Sequence, residues 1–256
     1  MKKIVVFLIL TLTIKVHAQF AKSMFSKDPI INLENFQKQR VYFGFYLGFN
    51  SYDFKMDYNK FDADPDHISQ DILIKKSTGF NVGLVADLKL QEYVSLRFEP
   101  GLYYTKRDLQ YPESYFSTLP NPFTPTSSDK LREVNSTYLH FPLLLKFLAL
   151  RTGNVRPYIL GGVSTTLNLS SNSKSKDDNL QQRFRVKPWT QNYELGLGID
   201  FFSEYFIFSP SIRGVFGLND ELIRDNVDSF DPDESPYTGN IESMKTRAVF
   251  INFTFH

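Results

Sequence analysis

The sequence contains no cysteine, so no disulfide can staple it, and the lipid-anchored cysteine of a lipoprotein is absent. It has a single tryptophan, Trp189, so the Gly-x-Trp that opens the first strand of a lipocalin-like cup is missing. An excess of charge of either sign is absent: the formal net charge is +1. Removing Lys2, Lys3 and Lys15 with a leader leaves 26 basic residues against 28 acidic ones, a net of −2. Nothing in that balance suggests a nucleic-acid partner. Only one long apolar run exists, residues 4–14. At roughly eleven residues it falls short of the ~20 that a membrane-spanning helix needs. A chain built this way can cross a bilayer only as a closed barrel.

The early run has another use. Lys2 and Lys3 precede it and Val16-His17-Ala18 follows it, a small-x-small cleavage site. Residues 1–18 therefore read as a Sec-type signal peptide, cleaved to leave Gln19 first. The remainder is the size of one β domain.

What the chain has is alternation. In residues 41–50, VYFGFYLGFN, the residues Val41, Phe43, Phe45, Leu47 and Phe49 share one face, while tyrosine, glycine and asparagine occupy the other. A period of two predicts a strand. The same pattern predicts strands over 80–90, 94–105, 137–147, 157–169, 193–201, 206–218 and 249–255, with Leu160 breaking the rule in the fifth. The apolar rows include Leu143 and Leu145, and Leu195 and Leu197. Connections alternate in length: 53–77, 106–134, 170–186 and 220–247 are long, whereas 91–93, 148–156 and 202–204 are short.

Alternation leaves open which face is inside. A soluble cup would turn the large apolar face inward; a transmembrane barrel would turn it to lipid. The uniformly large apolar faces, the strict alternation of connection lengths and the missing Gly-x-Trp favour the membrane. The expected fold is all-β: an eight-stranded antiparallel transmembrane β-barrel, an up-and-down meander over 40–256 in the outer membrane. Both ends lie in the periplasm. Val41, Phe43, Phe45, Leu47, Phe49, Leu143, Leu145, Leu195 and Leu197 then face lipid. Arg97, Glu99, His140, Glu194, Asp200 and Arg213 line the interior, where charges of both signs must pair. Eight strands leave room inside for side chains but not for an open channel.

Residues 19–39 precede the first strand. Met24, Phe25, Ile30, Ile31, Leu33 and Phe36 make this segment too apolar for a bare linker. The expectation is a periplasmic segment that docks on a partner or closes the barrel floor.

Chemical motifs are sparse. The four histidines form no H-x-x-x-H or H-E-x-x-H spacing, so no zinc site is expected. No G-x-S-x-G nucleophile elbow occurs. Asp62, Asp64 and Asp66 begin like a calcium loop, but Pro65 interrupts them and the required Gly and Glu do not follow. The expected reading is a solvated acidic loop, as for 231–236. His140 reads as one member of an interior polar network. No catalytic residue, cofactor, metal or small-molecule substrate is expected.

Residues 138–147, YLHFPLLLKF, resemble the signature of the Bacteroidota outer-membrane β-barrel family of PorT-like porin-family proteins. RPYILGGVSTTL (156–167), ELGLGIDF (194–201) and PSIRGVFGLND (210–220) are similar to its later strands. Residues 27–58 resemble the entry to the first strand of the narrower PorT/SprT-like group. The resemblance implies an outer-membrane accessory component of the type IX secretion system, acting with other secretion components and, in gliding species, in motility. The family carries no catalytic motif. His140 stands where an acidic residue is common, and His256 follows the aromatic that usually ends a barrel.

Overall fold

A computed structural model describes residues 31–58, 72–113, 116, 126–225, 235, 237–239 and 241–256. The leader call, Met24, Phe25, Ile30 and the 62–66 acidic run lie outside them, as does most of 231–236.

Among these residues, ten strands make one antiparallel sheet: β1 (Val41–Tyr58), β2 (Leu73–Lys76), β3 (Thr78–Gln91), β4 (Val94–Phe98), β5 (Gly101–Gln110), β6 (Leu131–Leu148), β7 (Val155–Asn168), β8 (Trp189–Phe202), β9 (Ile207–Gly217) and β10 (Ile241–Phe255). They form eight staves. β2 and β3 are one stave broken at Ser77, and β4 and β5 are one stave broken at Glu99 and Pro100. Pro100 has no N–H to give a ladder, and its carbonyl instead accepts from Leu84 N at 3.0 Å.

The ring closes because β1 pairs with both β10 and β3. Starting at Ser51, the register runs through Val249, Gly214, Leu195, Gly161, Leu145, Leu96 and Leu88 and returns to β1 at Val41. The circuit ends ten residues below its start, which is the stagger that tilts the strands of a closed barrel. At the short-turn end, His256 and Ile207 exchange backbone hydrogen bonds at 3.0 and 3.1 Å.

The large apolar residues point outward. Val41, Phe43, Phe45, Leu47 and Phe49 are all exposed, as are Leu143, Leu145, Leu195 and Leu197. The inverted, cup-like arrangement is excluded. Inside, glycine makes space for tyrosine. A side chain on Gly83 or Gly101 would collide with the ring of Tyr46, which is fully buried and whose hydroxyl donates to Tyr103 Oη at 3.0 Å. Leu160 also points inward, packing with Leu144, Leu148 and Tyr158 near the short turns.

The strands outrun their predicted ends chiefly toward the long loops, and by only one or two residues toward the short turns. There the pattern inverts. On β1 the outward series after Phe49 is Ser51, Asp53, Lys55 and Asp57, while the inward series passes from Asn50 to Tyr52 and Phe54. β6 changes from outward Glu133 and Asn135 to outward Phe141 and Leu143, and β10 from Lys245 and Arg247 to Val249 and Ile251. Above this boundary the barrel has the polarity of a water-soluble protein. Phe54, Leu109, Phe116, Val134, Phe184, Leu222, Ile241 and Met244 form one buried apolar cluster there. We call this part the head. Polar clamps tie its loops down. Arg132 donates to the carbonyls of Ser128, Leu131 and Asn179, each at 2.7 Å, and Asp225 accepts from Asn179 Nδ2 at 2.8 Å and Ser235 Oγ at 2.6 Å.

Candidate functional site: the barrel interior and its two ends

Inward positions of neighbouring strands bring the polar residues together in register. Asp87 and Arg97 are directly paired on β3 and β4, and Arg97 Nε donates to Asp87 Oδ1 at 2.8 Å. Arg97 Nη1 reaches Glu99 Oε1 at 3.1 Å. Glu99 is shared across the lumen with Arg213 of β9 at 2.8 Å, and Arg213 lies 3.2 Å from Glu194 of β8. Glu194 Oε1 is 2.8 Å from His140 Nε2, and His140 Nδ1 is 2.8 Å from Thr166 Oγ1. Asn192 Nδ2 donates to Thr166 Oγ1 at 2.9 Å. The Arg213 contacts to carboxylates are ion-pair approaches and the His140–Glu194 contact is a close approach, all without the alignment of hydrogen bonds.

Asp200 heads a second group. It takes Lys146 Nζ at 2.8 Å, Arg156 Nη2 at 3.0 Å and Ser209 Oγ at 2.6 Å. Tyr158 stands between the groups, with Lys146 Nζ 4.0 Å and the Arg97 guanidinium 5.7 Å from its ring centre. Five of the six residues expected in the interior, Arg97, Glu99, His140, Glu194 and Arg213, thus sit in one chain of contacts; Asp200 sits in the neighbouring one.

Sequence reasoning missed Asp87, Lys146, Arg156 and His256. Asp87 and Lys146 lie at inward positions of their strands, so alternation marks their side of the sheet but not their partners. His256 folds inward because the period of two continues past the outward Phe255. Its Nε2 lies 3.5 Å from Asp87 Oδ2. The outward Phe255 stacks on Phe45 at 5.3 Å.

Buried carboxylates and cations that meet one another are held, not poised. The sequence Glu194–His140–Thr166 has an acid, a base and a hydroxyl in line, yet all three are buried. The neighbouring cavity, lined by Tyr52, Tyr138, Thr166, Thr190, Asn192, Val215 and Thr246, is only about the size of one water molecule. Its size and polar lining suit a bridging water, not a substrate.

At the short-turn end the chain crosses the mouth of the barrel before entering β1. Asn32 N donates to Asn154 Oδ1 at 3.0 Å and Asn32 Nδ2 to Phe202 O at 3.1 Å. Arg151 Nη2 donates to Asn32 O at 2.6 Å. Asn154 lies in the β6–β7 turn, on the side of the ring opposite β1. The segment then makes a single 3-10 turn, Phe36–Lys38, and Phe36 packs on Tyr42 at 5.0 Å. Ile31 is exposed, whereas Leu33, at φ 51°, and Phe36 are partly covered.

The family described as "Outer membrane protein beta-barrel domain" matches residues 18–222. The chain belongs to this family, and it is an integral protein of the outer membrane. Its fold is similar to solved barrels. OprG from Pseudomonas aeruginosa is 15% identical, with 84% of this chain and 94% of that chain covered and a TM-score of 0.40. Ail of Yersinia pestis is 11% identical, with 85% and 98% covered and a TM-score of 0.34. Neisserial surface protein A is 10% identical, with 82% and 95% covered and a TM-score of 0.34. No curated protein matches the chain significantly.

Proposed function

We propose that this protein is a non-enzymatic accessory component of the type IX secretion system that works through contacts at the two ends of a sealed barrel. The observation that supports the sealed barrel is the packed interior. The Asp87–Arg97–Glu99–Arg213–Glu194–His140 chain crosses the lumen, so exported substrate does not pass through this chain. The resemblance of residues 27–58 to the PorT/SprT-like group supports the secretion role. Outward rows such as Val41–Phe49 and Leu195 with Leu197 are the lipid-facing band in this reading. The short-turn end faces the periplasm. The segment from Ile31 to Phe36, strapped to Asn154 and Phe202, closes the floor and offers Ile31 to a periplasmic partner.

Deleting the gene and assaying secreted proteins that carry type IX signals tests the proposal. Their loss from the medium, restored by the wild-type chain, is expected. Undiminished secretion contradicts it and leaves the second reading, a stand-alone barrel for envelope integrity or adhesion. The head favours that alternative, because its ordered apolar core builds a firm surface beyond the membrane.

A further inference from the structure

The outer surface just above the apolar band carries a cationic cluster that neither the lumen nor the head core uses. Lys55 and Lys245 are directly opposed in the β1–β10 register. Like charges facing each other across an antiparallel pair destabilise it, so their juxtaposition calls for a counter-charge. Two residues nearer the band, Arg247 Nη2 lies 2.8 Å from Asp53 Oδ2, and Lys76 Nζ lies 3.0 Å from the same oxygen. Asp53 is nearly buried and draws two more cations toward the pair. Asp57, 3.3 Å from Lys55, is the other carboxylate at this spot. Four cations, Lys55, Lys76, Lys245 and Arg247, therefore meet two acids. The side chains of Lys55, Lys76 and Arg247 remain 59%, 49% and 52% exposed.

Height supplies the second argument. The cluster lies just above the large outward apolar residues Phe49 on β1, Val249 on β10 and Phe80 on β3, with the exposed Leu73 of β2 beyond it. In an outer-membrane barrel, that boundary is where lipid headgroups lie. The far side of the ring differs: Leu169 after β7 and Trp189 on β8 continue the apolar surface upward there.

We propose that this cluster is a docking surface for a phosphorylated lipid headgroup of the outer leaflet. Phosphate oxygens accept from Lys55 and Lys245, relieving their repulsion, and Arg247 supplies a planar fork suited to phosphate. The proposal rests on outer-membrane residence and is independent of any secretion role.

The test uses the full chain folded in detergent. Native mass spectrometry measures retention of a phosphorylated glycolipid against its dephosphorylated form. The wild type should prefer the phosphorylated form by about tenfold or more, with the preference falling as salt rises. A Lys55→Gln, Lys245→Gln double variant should lose the preference while keeping its heat-modifiable gel migration. Lys176→Gln, an exposed residue of the β7–β8 connection on the far side of the ring, should retain it. Equal retention of both lipids by the wild type overturns the proposal, as does an undiminished preference in the double variant. Tighter binding of inorganic phosphate than of the glycolipid overturns the lipid as source.

Discussion

The lower barrel and the head are the same sheet solved for opposite solvents. Below Ser51 the strands put Phe and Leu outside and charge inside; above it they put Lys, Asp and Glu outside and Phe, Leu and Met inside. The hydrogen-bonded ladder runs through the boundary on β1, β6 and β10 without a break. What changes is only which alternate positions are apolar. Backbone pairing alone therefore does not say where the membrane ends; side-chain polarity does.

This contrast yields tests of decreasing size. The largest effect belongs to the lower lumen. Arg97→Leu leaves Asp87 and Glu99 buried without their shared cation, a loss of about 3–5 kcal/mol. The expected outcome is a barrel that no longer shows heat-modifiable migration, with part of the loss recovered when Asp87→Asn is added. In the head, Phe54→Ala opens a cavity in the apolar cluster and should cost about 3–4 kcal/mol. Protease sensitivity should rise in the long loops while the lower barrel still migrates as folded, which separates the two regions.

On the outer surface the same substitution should read differently on each side of the boundary. Leu195→Arg places a cation in the lipid-facing row and should cost about 2–4 kcal/mol in refolding titrations. Asp57→Arg, on the outward face of the head, should cost clearly less than Leu195→Arg in the same titration. The smallest effect concerns pH. Glu221 lies in the head, where burial raises its carboxyl above the ordinary range although Thr246 N and Oγ1 donate to it at 2.9 and 3.0 Å. A raised folded value stabilises the head below the unfolded carboxylate range, and that stabilisation is lost as pH rises through the folded value. Glu221→Gln should flatten this dependence in thermal melts of the head followed between acid and neutral pH.

The eight staves were legible because the membrane band enforces one period with one polarity. Phe43 or Leu195 announces its side of the sheet without knowledge of its neighbours. The upper strand ends were not legible. Beyond Phe49 the next outward residues are Ser51 and Asp53, and the apolar row passes to Tyr52 and Phe54, so a template that follows the outward row stops. The interior was half legible. Arg97 and Glu194 follow from alternation, but their connection through Glu99 and Arg213 depends on the stagger of the whole ring, which no local pattern encodes. The head core was beyond reach for the same reason: Phe116, Phe184 and Leu222 come from three separate connections and meet only once the barrel is closed.

The inversion of polarity at Ser51 is best tested along β1 itself. The chain has no cysteine of its own, so single cysteines at positions 45, 46, 49, 54, 55 and 57 can carry spin labels without background. Labels at 45 and 49 should collide with oxygen dissolved in the bilayer, and labels at 55 and 57 with a water-soluble nickel complex. Labels at 46 and 54 should be shielded from both. A label at 55 as accessible to bilayer oxygen as one at 45, or one at 54 open to the nickel complex, would contradict the account.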